Sequence, residues 1–214
     1  MQFSPEQVVI APGTKPLLLL PMLALLEPGD EVIYPDPGFP SYAAAIGLVG
    51  AVPVPVPLVE ERGYDLDLDA FDAALSPRTR MILLNSPRNP TGGIHAPQTL
   101  AHIAAAARRH ELWILSDEIY TRLAYDAEAP SIASLPGMAE RTIIADGFSK
   151  TYAMTGWRLG FGIMPQPLAA KVDLLLTHSV GCTATITQFA GLEAVLGPQD
   201  RVEAVVAEFR RRRD

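Results

Sequence analysis

Lys150 follows a hydroxyl residue, Ser149, in a run of small residues, and Arg158 stands eight positions later. An amine held at one place on a tight turn is what attack on an aldehyde requires. Arg158 offers a bidentate fork and Ser149 a hydroxyl, and both suit a phosphate. An aldehyde at one end and a phosphate at the other describe pyridoxal phosphate (PLP). A Ser-Lys pair alone is weak, since most lysines are solvated surface charges. The whole segment Asp146-Gly-Phe-Ser-Lys-Thr-Tyr-Ala-Met-Thr-Gly-Trp-Arg158-Leu-Gly160, fed by the apolar run Thr142 to Ala145, is far more specific.

Four further stretches carry residues that such a group needs. Asp117 ends an apolar run in Leu115-Ser-Asp-Glu-Ile-Tyr120. PLP is an electron sink only while its ring nitrogen is protonated, and a buried carboxylate nearby favours that charge. By itself Asp117 reads first as a helix N-cap. Tyr120 can hydrogen-bond the phenolic oxygen, and Glu118 reads as a structural or capping carboxylate. Asn89 lies in the proline-braced turn Asn85-Ser-Pro-Arg-Asn-Pro-Thr-Gly-Gly93, from which a fixed asparagine can donate to the same oxygen. Gly13 and Thr14 open a helix, where backbone N–H groups make an anion site. Lys15 reads as solvent-facing or structural. Phe39, on the rigid Asp36-Pro-Gly-Phe-Pro-Ser-Tyr42 turn, offers a ring to stack on a pyridine, while Tyr42 reads as core packing.

The elements that position these residues alternate. Strands are predicted at Val8 to Ala11, Asp30 to Tyr34, Ala51 to Pro57, Arg80 to Asn85, Leu112 to Ser116, Thr142 to Asp146 and Leu159 to Met164. Helices are predicted at Thr14 to Leu26, Ser41 to Gly50, Leu68 to Leu75 and Thr99 to His110, with a helical pattern from Pro167 onward. Pro16 suits a first helical turn, whereas Pro21 should kink the helix it falls in. Strand–helix alternation argues for an α/β domain with a mainly parallel sheet. Ligands collect beyond the carboxyl ends of such strands, and Gly13, Phe39, Asn89, Asp117 and Lys150 all follow strands.

Composition narrows the classes. With 214 residues, 49% hydrophobic, the chain can bury one sizeable core. A net charge of −7 disfavours a nucleic-acid partner, which calls for a basic face. Arg210 to Arg213 read as a solvated helix face. The single cysteine, Cys182, cannot form an intrachain disulfide, fits a reducing compartment and reads as a small buried or interface side chain. Leu17 to Leu26 is too short to span a bilayer and reads as a buried helix. With no targeting segment visible, a cytoplasmic location is the expectation. The scattered histidines His95, His102, His110 and His178 lack metal-ligand spacing and read as surface or core residues, and Trp157 reads as packing.

The lysine segment, together with Asn-x-Pro-x-Asn-Pro-Thr-Gly at Asn85 to Gly92, resembles the PLP-dependent class I/II aminotransferases of fold type I, and their aspartate-aminotransferase-like branch in particular. That resemblance covers essentially the whole chain. It implies the large, cofactor-binding domain of that fold, a mainly parallel mixed sheet flanked by helices, over residues 1–214, with a connection toward a small domain starting at about residue 198. It implies Lys150 as Schiff-base lysine and proton shuttle, Asp117 at the ring nitrogen, and Tyr120 and Asn89 at the phenolic oxygen. Ser149, Arg158 and the Gly13-Thr14 amides would hold the phosphate, and Phe39 would cap the ring. Gly147 stands where many members carry a hydroxyl for the phosphate. The family's small domain, its substrate-carboxylate arginine and its N-terminal gating residues have no counterpart here, so the resemblance implies a central part of a longer homodimeric enzyme. The implied reaction passes an amino group from an L-amino acid to a 2-oxo acid. Alternatives are a PLP-dependent carbon–sulfur β-lyase, a non-catalytic sensor domain of a regulator, and an inactive remnant.

Overall fold

The computed structural model describes residues 1–214. Eight strands, β1 (Val8–Ala11), β2 (Glu31–Asp36), β3 (Val52–Val59), β4 (Asp65–Leu66), β5 (Thr79–Asn85), β6 (Trp113–Asp117), β7 (Thr142–Gly147) and β8 (Gly160–Ile163), form one sheet in the order β1-β8-β7-β6-β5-β2-β3-β4. The five central strands β7, β6, β5, β2 and β3 are mutually parallel; β8 runs antiparallel to both β7 and β1, and β4 antiparallel to β3. Because β8 reverses direction and β1 reverses it again, β1 points the same way as the parallel strands. The sheet is therefore the mainly parallel mixed sheet expected, and the carboxyl ends of β1, β2, β5, β6 and β7 share one edge.

Helices cover both faces: α1 (Lys15–Leu25), α2 (Ser41–Leu48), α3 (Leu68–Ala74), α4 (Pro97–Arg109), the single turn α5 (Phe148–Thr151), α6 (Gln166–Ser179), α7 (Thr185–Leu196) and α8 (Asp200–Arg213). Strand side chains alternate between the two resulting cores. Val32, Met81, Leu83, Leu115 and Ile143 join Leu17, Met22, Val172 and Leu176 on one face. Ile33, Ile82, Leu84 and Ile114 join Phe71, Leu100, Ile103, Ala104 and Ala107 on the other. The α4 contributions fall at the i, i+3, i+4, i+7 spacing of one helix stripe. Each fully buried aliphatic side chain stabilises the fold by about 1.5–3 kcal/mol.

Several local features explain boundaries. Asp67 caps α3, accepting from the Asp69 and Ala70 amides at 3.0 and 3.1 Å. In β3 the Val52 amide bonds toward β2, so Pro53, Pro55 and Pro57 turn their donor-free nitrogens away from it. That edge cannot be extended except at Leu58 and Val59, where β4 pairs. The β4 pair, two residues long, carries no alternation and was not among the predicted strands. The helix α1 runs through Pro21, which is buried in the core; no break in the element appears at the residue expected to kink it.

Two expectations are overturned. Trp157 is not packed but 48% exposed, because Met154, at the head of the same turn, takes the buried place beside Phe148 and Leu159. The buried half of the reading of Cys182 is likewise overturned: it is exposed on this chain in the α6–α7 connection, where its neighbour Thr183 is the buried residue. On α7, Ile186, Phe189, Leu192, Val195 and Leu196 are all exposed. No helix is long and apolar enough to cross a membrane.

Candidate active site

A cavity of about 220 Å³ opens at the shared carboxyl edge, and Thr14, Phe39, Asn89, Asp117, Tyr120, Ser149, Lys150 and Arg158 all line it. Gly13 sits directly behind it. The nine residues singled out from the sequence are thus brought together by five separate strand ends.

One end of the cavity is built for an anion. Gly13 adopts φ +90°, and a Cβ there would lie 2.2 Å from Arg158 Nη2, so only glycine leaves room for the guanidinium. Gly160 serves the same junction from β8: a Cβ on it would fall 2.6 Å from the Gly13 carbonyl carbon and 2.7 Å from the Thr14 nitrogen. Arg158 is held by its Nη1 donating to Thr155 O at 3.0 Å and its Nη2 to Pro12 O at 3.4 Å. The Gly13 amide is not a free donor, since it bonds Ala11 O at 2.7 Å. The amides without a backbone partner are those of Thr14 and Lys15, while Pro16 contributes none. Of the expected Gly13-Thr14 amide pair, the Thr14 amide is without a backbone partner, whereas the Gly13 amide is taken up by Ala11 O and Gly13 leaves room for the guanidinium. The Thr14 hydroxyl donates to Asp146 O at 3.1 Å. It stands 2.8 Å from where a Gly147 Cβ would be, in the space a side chain at 147 would need.

Lys150 lies on α5, whose N-cap is Gly147. Its Nζ sits 5.6 Å from the centre of the Tyr120 ring. Phe39 forms an adjoining wall, edge-on to Tyr42 at 5.6 Å between ring centres, with Lys15 Nζ 5.7 Å from the Phe39 ring. Lys15 is solvent-facing, as expected, but it also lines the cavity.

The other end is a buried carboxyl. Asp117, at the end of β6, accepts from Tyr42 Oη at 2.8 Å and from the Ile119 amide at 3.3 Å. Burial pushes its pKa up to about 6 despite those hydrogen bonds. Tyr42 is 1% exposed, so it is core, as expected. Its hydroxyl is in addition the one side-chain partner of the Asp117 carboxyl, a role that residue type and spacing did not reveal. Burial and the facing Asp117 carboxyl push the Tyr42 phenol well above its ordinary range. Glu118 turns away, accepting from Ser116 Oγ at 2.9 Å and Ser131 Oγ at 2.6 Å, which fits its structural reading. Asp146 is raised to about 7, first by burial and then by the neighbouring Glu118 and Asp117 charges, while its Oδ1 accepts from the Gly147 amide at 2.6 Å.

Asn89 is positioned from both sides. Its amide donates to Asn85 Oδ1 at 2.8 Å. The preceding residue, Arg88, closes the turn through Arg88 N to Gly93 O and Gly92 N to Arg88 O, at 2.9 and 2.8 Å. The Arg88 side chain is buried 3.5 Å from Asp65 Oδ1. His95 Nδ1 lies 2.8 Å from both Asp65 Oδ1 and Arg88 Nη1. The carboxylate can only accept, so His95 Nδ1 donates the ring proton to Asp65 Oδ1. Burial alone would raise Asp65, but hydrogen bonds from His95, Thr99 and the Ala96 and Leu66 amides outweigh it and hold the carboxyl well below the usual range.

These features fit PLP: a cradle that a Cβ at residue 13 would fill beside a guanidinium, next to two amides without a backbone partner, with a buried carboxyl and an amine lining the same cavity.

The sequence pattern of the family "Aminotransferase class I and II" matches residues 1–214. The chain is 40% identical over 210 residues to an aspartate aminotransferase of Musicola paradisiaca, covering 98% of this chain and 52% of that protein. It is 41% identical over 211 residues to the aromatic-amino-acid aminotransferase 2 of Thermococcus litoralis, covering 97% and 54%. Among solved structures, the aromatic aminotransferase from Pyrococcus horikoshii OT3 superposes with a TM-score of 0.94 at 39% identity, over 97% of this chain and 56% of that one. Aspartate aminotransferase from Thermus thermophilus with maleate gives 0.93 at 35% identity, over 99% and 56%. The chain thus spans about half the length of the curated relatives it matches.

Proposed function

Because the chain belongs to the aminotransferases of class I and II, we propose that it is the PLP-binding part of an enzyme that transfers an amino group from an L-amino acid to a 2-oxo acid. The observation that carries this reading is one cavity lined together by Lys150, Asp117 and Arg158, with Gly13 leaving room for the guanidinium. Bound PLP supplies an aldehyde that reacts with amines and a protonated ring that accepts the electron pair left when the substrate Cα loses its proton.

The residues then divide the work. Arg158, Ser149 and the Thr14 and Lys15 amides bind the phosphate. Asp117 holds a proton on the ring nitrogen, and a cation placed there draws the Asp117 pKa back down toward the ionised form. Asn89 and Tyr120 donate to the phenolic oxygen, and Phe39 covers one face of the ring. Lys150 Nζ would hold the aldehyde end of the bound group and, when free, would be the base that takes the proton from the substrate Cα. Residues 1–214 are the large domain, and from about residue 198 the chain enters the connection to a small domain. The acting unit is a homodimer in the cytoplasm. The relatives named above are aminotransferases, which favours transamination over β-elimination or a sensor role.

Reductive trapping tests the proposal. Borohydride treatment with PLP should fix the cofactor on the peptide carrying Lys150 and leave Lys150→Ala unlabelled, with both proteins equally folded by circular dichroism. Label on another lysine, or none in the wild-type chain, refutes it.

A further inference from the structure

Asn85 is 1% exposed, ends β5, and faces Asp117 across the β5–β6 ladder. Its side-chain amide makes two bonds in opposite directions. Nδ2 donates to Asp117 O at 2.9 Å, and Oδ1 accepts from the Asn89 amide at 2.8 Å. The two bonds fix the orientation of the amide, because the Asn89 N–H can only donate and the Asp117 carbonyl can only accept. No other side chain of this length does both: aspartate would set an oxygen against the Asp117 carbonyl, and leucine would leave the Asn89 N–H without its acceptor and the Asp117 carbonyl with only the Ser86 amide at 3.3 Å.

Asn89 and Asp117 are the two anchors proposed for opposite edges of the cofactor ring. Asn89 stands in the turn after β5 and Asp117 ends β6, and Asn85 links them through one rigid side chain that does not line the cavity. From this geometry we infer that Asn85 is a positioning residue that sets the spacing of the ring anchors, independently of the phosphate cradle. The inference rests on the PLP reading above and deepens it. The cradle hangs on other strands: Gly13 and Thr14 follow β1, Ser149 follows β7 and Arg158 precedes β8. Loss of Asn85 should therefore loosen the ring end and leave the phosphate end as it was.

The test compares the wild-type chain with Asn85→Leu and Asn85→Asp. Binding of PLP and of inorganic phosphate is measured by titration, and amide hydrogen exchange is followed without ligand. Asn85→Leu loses a buried hydrogen bond on each side and Asn85→Asp only the one to Asp117, so PLP affinity should fall about tenfold or more in the first and by less in the second, with phosphate affinity unchanged in both. Exchange should quicken at the Asn89 and Glu118 amides in Asn85→Leu, but only at Glu118 in Asn85→Asp, which keeps the acceptor for Asn89. Equal weakening of PLP and phosphate overturns the inference, as does quickened exchange confined to Asn89 in Asn85→Leu. If the wild-type chain takes no PLP, the functional reading fails, and the exchange pattern alone decides the brace.

Discussion

Replacing Tyr42 by phenylalanine isolates the electrostatics of the carboxyl end. The ring stays in a site where Tyr42 is fully buried, and only the hydroxyl that donates to Asp117 Oδ2 at 2.8 Å is lost. A hydrogen bond to a charged group is worth about 1.5–3 kcal/mol, which at about 1.4 kcal/mol per pKa unit is a rise of about 1 to 2 units. Asp117 starts from about 6, so in Tyr42→Phe it should titrate at about 7 to 8. The sign follows from linkage. An acid whose folded pKa is raised contributes stability that is whole below its unfolded value, near 4, and is lost as pH rises through the folded value. In the cofactor-free wild-type chain that loss is complete soon after pH 6; in the variant it continues to about pH 8. Asp146, raised to about 7, contributes to both proteins and largely cancels in the difference. Urea melts between pH 4 and pH 9 should show a stability gap that widens with pH to about 1.5–3 kcal/mol. A gap that is constant or narrows across pH 6 to 8 refutes the assignment of Tyr42 as the partner that favours the ionised Asp117.

Two further outcomes follow from the packing. Gly13→Ala forces a Cβ to within 2.2 Å of Arg158 Nη2 at a φ of +90°; the backbone cost of about 1–2 kcal/mol should lower the melting temperature by a few degrees, and displacement of the guanidinium should weaken inorganic phosphate binding in titration. Asp65→Ala strands the buried Arg88 charge and should cost about 3–5 kcal/mol in denaturant melts. In the wild-type chain the depressed Asp65 pKa makes its contribution present above the unfolded value and lost as pH falls through the folded one, so the variant should lack that acid-side slope.

The strands that carry the site were legible because they are apolar runs ended by polar or glycine turns. β1 is predicted at its observed bounds, and β5, β6 and β7 to within a residue at either end. The site residues were legible because each sits in a local string, Ser-Lys or Asn-Pro-Thr-Gly, that confines it to a turn. What the sequence withheld depends on distance in space. Tyr42 lies 75 positions from Asp117 and Asp65 lies 30 from His95, and neither bond leaves a local pattern. Asn85 was visible only as the first residue of a motif whose role falls on Asn89. The missing amide of Gly13 and the exposure of Trp157 follow from single turns, at Ala11–Gly13 and Met154–Trp157, which residue type does not specify.

The pairing of β1 with β8 has a consequence for the order in which the chain is made. Ala11 finds its partner, Gly160, only about 150 residues later. At about 5–20 residues per second the ribosome needs roughly 8 to 30 s to supply it. Until then β1 is an unpaired strand, and the Gly13–Thr14 turn has no Arg158 to meet. Pairing across such a sequence separation also makes for slow folding. The Gly13–Arg158 junction thus closes only after every other strand of the sheet has been made, and cofactor capture before that point has no complete site to use.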